Sequence, residues 1–185
     1  SKALRQADPK IVGDKLKIIE NPFGTWGDAS KVLLVPAINP DVTFIHVQKA
    51  DTMGTCRIQG LTFADVEQAK ASINVVVTCE ELVESEELRD FPEQNQIPFL
   101  NVSAVCHVPF GGYPTAVYRC YDYDTTHLRA YASAAKDDRQ FEAFQGKYIY
   151  DLSSHQDLLD LVGQERLDVI RADSRTGYAV NMVRG

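Results

Sequence analysis

The stretch between residues 42 and 79 constrains the fold more than any other. Val42-Thr43-Phe44-Ile45-His46-Val47 is a continuous, largely β-branched run entered through the turn sequence Asn39-Pro40-Asp41. Residues 63–72 then switch to helical spacing, with Phe63, Val66 and Ala69 on one stripe. Val75-Val76-Val77-Thr78-Cys79 returns to an unbroken run. Strand, helix and strand in that order make a βαβ unit, a parallel pair joined by a right-handed crossover. Runs without alternation suit strands covered on both faces. The expected fold is α/β: an open, largely parallel sheet with βαβ units, covering helices and a C-terminal helical extension.

Residues 1–31 carry Pro9, Gly13, Pro22, Gly24 and Gly27, and read as a connector and entry segment with one short strand at 16–19. Val32-Leu33-Leu34-Val35, stopped by Pro36, and Cys56-Arg57-Ile58 are further strand candidates. Thr62 is the expected N-cap of the first helix, with Asp65 three residues on. The acidic stretch 80–89 suits a short helix or a solvated loop, and 100–108 another strand. From Tyr123 the apolar spacing is helical, and a final helix over 155–162 ends at Gly163, the position a C′ glycine takes. The expected division is a connector over 1–31, an α/β core over 32–122 and a helical extension over 123–185.

Composition narrows the partners. With 185 residues, 44% hydrophobic and 24% charged, the chain can bury a core without disulfide or metal staples. Its net charge of −7 opposes non-specific binding to nucleic acid or anionic membrane. Cys56, Cys79, Cys106 and Cys120 form no C-x-x-C pair, as expected of reduced thiols in a cytoplasmic protein. Neither a signal peptide nor an apolar run approaching ~18 residues is present, so no membrane span is expected.

No G-x-S-x-G elbow, Walker loop, H-E-x-x-H or post-strand G-x-G-x-x-G occurs, which leaves no metal motif and disfavours a Rossmann-type nucleotide site. His46 lies inside a strand run, where a hydrogen-bonded core residue is the ordinary outcome. Cys106 and His107 are strand neighbours that point to opposite faces, which excludes a dyad. Glu80-Glu81 follow the strongest strand, where ligand-facing groups gather in α/β sheets; a base or nucleophile and a solvated acidic turn both fit. In Gly111-Gly112-Tyr113-Pro114-Thr115 the glycine pair lets the backbone approach a ligand or a neighbouring chain, and exposed amides there would receive a phosphate or carboxylate. A tight structural turn fits the same spacing.

Several segments, in order, resemble the family I coenzyme A transferases of the glutaconate CoA-transferase α-subunit type. They are Asn21-Pro22-Phe23, Pro40-Asp41-Val42 running into Phe44-Ile45-His46-Val47, and Ala50-Asp51 followed by Gly54. Val77-Thr78-Cys79-Glu80-Glu81, Val108-Pro109-Phe110-Gly111-Gly112-Tyr113-Pro114-Thr115 and Tyr121-Asp122-Tyr123-Asp124 complete the set. Gly54-Thr55 stands where the family often has Gly-Asn, and Gly112-Tyr113-Pro114 where Gly-Ala-His-Pro is common. The resemblance implies part of the α subunit of a heteromeric enzyme that moves CoA between an acyl-CoA and a glutaconate-like or 3-oxo acid. Coenzyme A would be a cosubstrate, with no permanently bound cofactor.

In this family the nucleophilic glutamate belongs to the partner β subunit, in a Ser-Glu-Asn-Gly-type context that this chain lacks, so no catalytic residue is expected here. The resemblance also casts the chain as a C-terminal portion, with the N-terminal half of the same α subunit being a further partner. Gly111, Gly112, Tyr113 and Thr115, with His46 and Asp51, become candidates for the substrate or CoA pocket or for the subunit interface. Two alternatives accompany this reading: a related decarboxylase or ring-opening hydrolase of a CoA thioester, and a non-catalytic assembly subunit.

Overall fold

A computed structural model of the chain describes residues 17–24, 30–180 and 182. Leu16 of the first expected strand, and Pro9, Gly13 and Gly27 of the connector, lie outside the described residues. The chain divides into two compact units after Asn39. In the first, Lys17–Glu20 (β1) pairs antiparallel with Lys31–Leu34 (β2). The Val32-Leu33-Leu34-Val35 run is therefore not a strand covered on both faces. It belongs to a two-stranded ladder, and Leu34 and Val35 stay exposed.

The second unit holds the expected α/β sheet. Val42–Ala50 (β3), Cys56–Arg57 (β4), Asn74–Leu82 (β5) and Ala104–His107 (β6) lie in the order β4-β3-β5-β6. The β3–β5 and β5–β6 pairs are parallel, and β4 is an antiparallel edge. Asp65–Ala71 (α1) makes the crossover between β3 and β5. Its N-cap is Ala64, without a side-chain cap, rather than Thr62. Phe63 at φ +45° turns the chain there, so that Thr62 offers the Asp65 amide only its backbone carbonyl.

Two further expectations move. β5 continues through Leu82, which places Glu80 inside the strand rather than on an acidic turn. Extended structure in the expected strand over 100–108 is confined to 104–107, because Phe99–Asn101 forms a short 3-10 turn. After Ser85–Arg89 (α2) and β6 the chain turns helical: Thr125–Ala134 (α3), Asp138–Gln145 (α4), His155–Val162 (α5) and Gln164–Ile170 (α6). A capping box between Ser154 and Asp157 starts α5, and Gly163 at φ +85° ends it. α6 was not expected from the sequence; it follows directly and buries Leu167 and Ile170.

The two sheet faces differ. Ile45, Val47, Val75, Val77 and Cys79 point one way and pack under Ala69 and Val66 of α1. On the other face His46 and Thr78 lie side by side, and a second cluster of Phe110, Val117, Tyr121, Leu167 and Ile170 lies beyond them. Further toward the strand starts that face is open: Phe44 is 74% exposed, and Ala104 is exposed with it. Among the described residues, no helix is long and apolar enough to cross a membrane.

Candidate functional site

Glu80 anchors the covered half of this second face. The parallel register sets His46 of β3 beside Thr78 of β5, and Glu80 follows on the same side of β5. The imidazole is held between them, Nδ1 2.8 Å from the Thr78 hydroxyl and Nε2 2.6 Å from Glu80 Oε1. The same Oε1 accepts the Tyr121 hydroxyl at 2.6 Å, and Oε2 accepts the Phe110 amide at 2.8 Å. Burial alone would raise the Glu80 carboxyl, but the bonds from His46 and Tyr121 outweigh it and hold it below the usual carboxylate range. Burial and the bond to Glu80 together push the Tyr121 phenol well up, so it remains a donor. Phe110 is held at φ +58°, an uncommon conformation for a bulky residue, where its amide faces Glu80.

The glycine pair serves this assembly. A Cβ on Gly111 would lie 2.7 Å from the Val108 carbonyl oxygen and 2.8 Å from His46 Cε1; one on Gly112 would lie 2.6 Å from Val117 Cγ2. The close approach is to the chain's own imidazole and core. The loop amides are occupied as well. Gly111 donates to the Val108 carbonyl, Gly112 to the Tyr121 hydroxyl, Tyr113 to the Phe110 carbonyl and Thr115 to the Gly112 carbonyl. Exposed amides ready for a phosphate are therefore not what this loop presents.

A second carboxylate holds the same loop further along. Asp124 caps α3 through the Thr126 and His127 amides, accepts the Tyr113 hydroxyl at 2.9 Å, and takes a two-pronged bond from Arg166 of α6. Burial opposes its charge, yet the Arg166 guanidinium and the His127 amide hold its carboxyl far below the usual range. Burial depresses the His127 imidazole, whose ring packs edge-on against Tyr113, Phe144 and Tyr148.

Beside the Glu80 assembly opens a cavity of about 590 Å³, within the range of small-molecule sites. Its walls include His46, Gly112 and Thr115, so three of the six expected site residues meet there, with Ile58, Val117 and Tyr118. Gly111 lies behind, against His46. Tyr113 turns instead to Asp124 and His127. Asp51 is elsewhere: it accepts the Met53 and Thr55 amides and the Ser85 hydroxyl, a turn-fixing role after β3. Among the described residues no three His, Cys, Asp or Glu side chains gather as metal ligands. Tyr121 and Arg166 had no local sign of their roles, since their partners Glu80 and Asp124 lie 41 and 42 residues away; Asp124 also holds amides two and three residues on, and Glu80 was flagged by its place after a strong strand.

Comparison with known proteins agrees with this architecture. A family model described as Coenzyme A transferase matches residues 23–107. The A subunit of glutaconate CoA-transferase from Acidaminococcus fermentans is 38% identical over 184 residues, covering 100% of this chain and 57% of its own. The crystal structure of glutaconate coenzyme A-transferase from that organism superposes with a TM-score of 0.85, covering 98% of this chain and 56% of the other at 38% identity. The A subunit of 3-oxoadipate CoA-transferase from Pseudomonas knackmussii is 33% identical, covering 80% of this chain and 50% of its own. The chain thus spans about half the length of the curated relatives it matches.

Proposed function

The chain belongs to the coenzyme A transferase family, and from that membership we propose that it serves as part of the α-type subunit of a heteromeric enzyme that moves CoA between an acyl-CoA and a carboxylic acid. The observation that carries this reading is likeness along the whole chain, in sequence and in backbone, to proteins named for that transfer. Its partners would be a β-type subunit, together with the remainder of the α-type subunit that the relatives carry beyond the matched length. Acyl-CoA and acid are the substrates, coenzyme A the cosubstrate and the cytoplasm the setting.

The chemistry asks little covalent work of this chain. A glutamate on the β-type partner attacks the thioester carbonyl, forming an acyl-glutamyl anhydride and releasing CoA thiolate. The thiolate returns to the glutamyl carbonyl and expels the acyl carboxylate, leaving a glutamyl-CoA thioester that the acceptor acid unmakes in mirror order. Carrying the acyl and CoA groups on the enzyme conserves the thioester's energy that hydrolysis would lose. This chain's part is the wall of His46, Thr115, Val117 and Tyr118, fixed from behind by Glu80 and Tyr121. A rigid wall positions the acyl group and excludes water.

The test is co-expression with the β-type partner and incubation of the complex with an acyl-CoA and labelled acetate. Labelled acetyl-CoA with release of the first acid supports the reading; release of free CoA or of carbon dioxide without labelled thioester would sink it.

A further inference from the structure

One peptide group in the loop that carries the glycine pair is held at both ends. Its N–H, from Phe110, donates to Glu80 Oε2 at 2.8 Å. Its carbonyl, from Pro109, lies 2.7 Å from His155 Nε2 at the start of α5; a carbonyl only accepts, so that nitrogen carries the proton. The Gly111 amide donates to the Val108 carbonyl and closes a four-residue turn with Pro109 and Phe110 at its centre. Proline cannot take a positive φ, and Phe110 stands at +58°, which makes the turn type II. That position favours glycine or asparagine, and a phenylalanine left to its local preference takes a type I turn instead. The two types differ by a half-turn of the central peptide, the group that Glu80 and His155 grip. Turned over, it would set its carbonyl against the Glu80 carboxylate and its N–H against the His155 N–H.

We propose that His155 is a positioning residue of the transfer site, keeping this peptide in the orientation that the cavity wall requires. The proposal rests on the transferase reading above. In the observed turn the Phe110 ring stacks on Tyr121, with centroids 4.7 Å apart and planes 24° from parallel. Tyr121 lines the cavity and takes the Gly112 amide on its hydroxyl, and the Gly112 carbonyl in turn accepts the Thr115 hydroxyl at 2.6 Å. A type I turn would carry the Phe110 side chain off the Tyr121 ring and loosen the hold on Gly112 and Thr115. His155 is not among the cavity's lining residues, so its effect on a ligand passes through the peptide.

The experiment uses the complete complex with its β-type partner, an acyl-CoA donor and labelled acetate. It compares His155→Leu, which has no donor, with His155→Gln, whose amide can stand in for Nε2. His155 is only partly buried, so both variants should keep the parental thermal midpoint. Expected for His155→Leu is a kcat about threefold to tenfold lower, the range one hydrogen bond accounts for, with His155→Gln within about twofold of the parent. Adding His155→Leu to Glu80→Gln should lower kcat little further, because both changes free the same peptide. Four results each overturn the inference and leave the transferase reading standing: a parental kcat in His155→Leu, a loss that His155→Gln does not recover, a loss that comes with a lowered midpoint, or losses that multiply in the double variant. A parental complex that transfers no CoA to acetate overturns both.

Discussion

Glu80 and Asp124 grip one loop at two points, and they differ in what holds their charge. Glu80 takes the Phe110 amide near the loop's start and has the His46 imidazole against its other oxygen. Asp124 takes the Tyr113 hydroxyl and the α3 amides, and faces Arg166, which keeps its charge at any ordinary pH. The Glu80 assembly borders the 590 Å³ cavity, whereas Asp124 ties α3 to α6 away from it. A permanently charged pair suits a structural clamp. A carboxylate satisfied by an imidazole, a phenol and an amide suits a wall whose shape matters to a ligand.

The largest test of this contrast is Asp124→Ala. It removes a helix cap and leaves Arg166 without its partner, and should lower unfolding free energy by about 3 kcal/mol or more in urea titration. A loss no larger than that of Glu80→Gln would break the comparison. Gly112→Ala comes next, at about 1–3 kcal/mol, because its Cβ would overlap Val117 and crowd the Tyr121 hydroxyl. An unchanged midpoint would mean the loop does not need its close approach to that core.

Glu80→Gln should cost about 1–2 kcal/mol, since one carbonyl oxygen can still accept from His46 and Tyr121 while the Phe110 amide loses its acceptor. Its pH response sharpens the point. Both carboxyls are held below their ordinary values in the folded chain, so each contributes stability that is complete above the unfolded value, near pH 4, and is lost as pH falls through the folded value. Stability measured against pH should therefore fall less steeply on the acid side in Glu80→Gln than in the parent; parallel curves would contradict this. Smallest is Tyr113→Phe. It should cost about 1 kcal/mol through the lost bond to Asp124 and leave KM for acyl-CoA unchanged, because the hydroxyl faces Asp124 and His127.

The sheet was legible in the sequence because its signals are local. The runs at 42–47 and 75–79, with a helical stripe between them, require neighbouring parallel strands whatever surrounds them. The Val32-Leu33-Leu34 run is a strand, as its residues suggested, but apolar character does not name a strand's partner, and β1 supplied it. The site was legible only in part. His46, Gly112 and Thr115 stood out by residue type and converge on the cavity, but the role of Glu80 depends on Tyr121 and Phe110, 41 and 30 residues away. A pairing across that distance exists only once the sheet register and the loop are in place. The glycine pair was flagged for closeness to a ligand; what it approaches is His46, a neighbour no spacing rule could supply.

The central claim, that the cavity beside Glu80 belongs to the CoA-transfer site, is most directly tested by filling it. Ala116 is exposed on the cavity wall, so Ala116→Trp can occupy the space without disturbing the core. In the complex with the β-type partner, CoA transfer to acetate should fall about tenfold or more with the thermal midpoint unchanged. Transfer at the parental rate, with the tryptophan in place and the protein folded, would contradict the account.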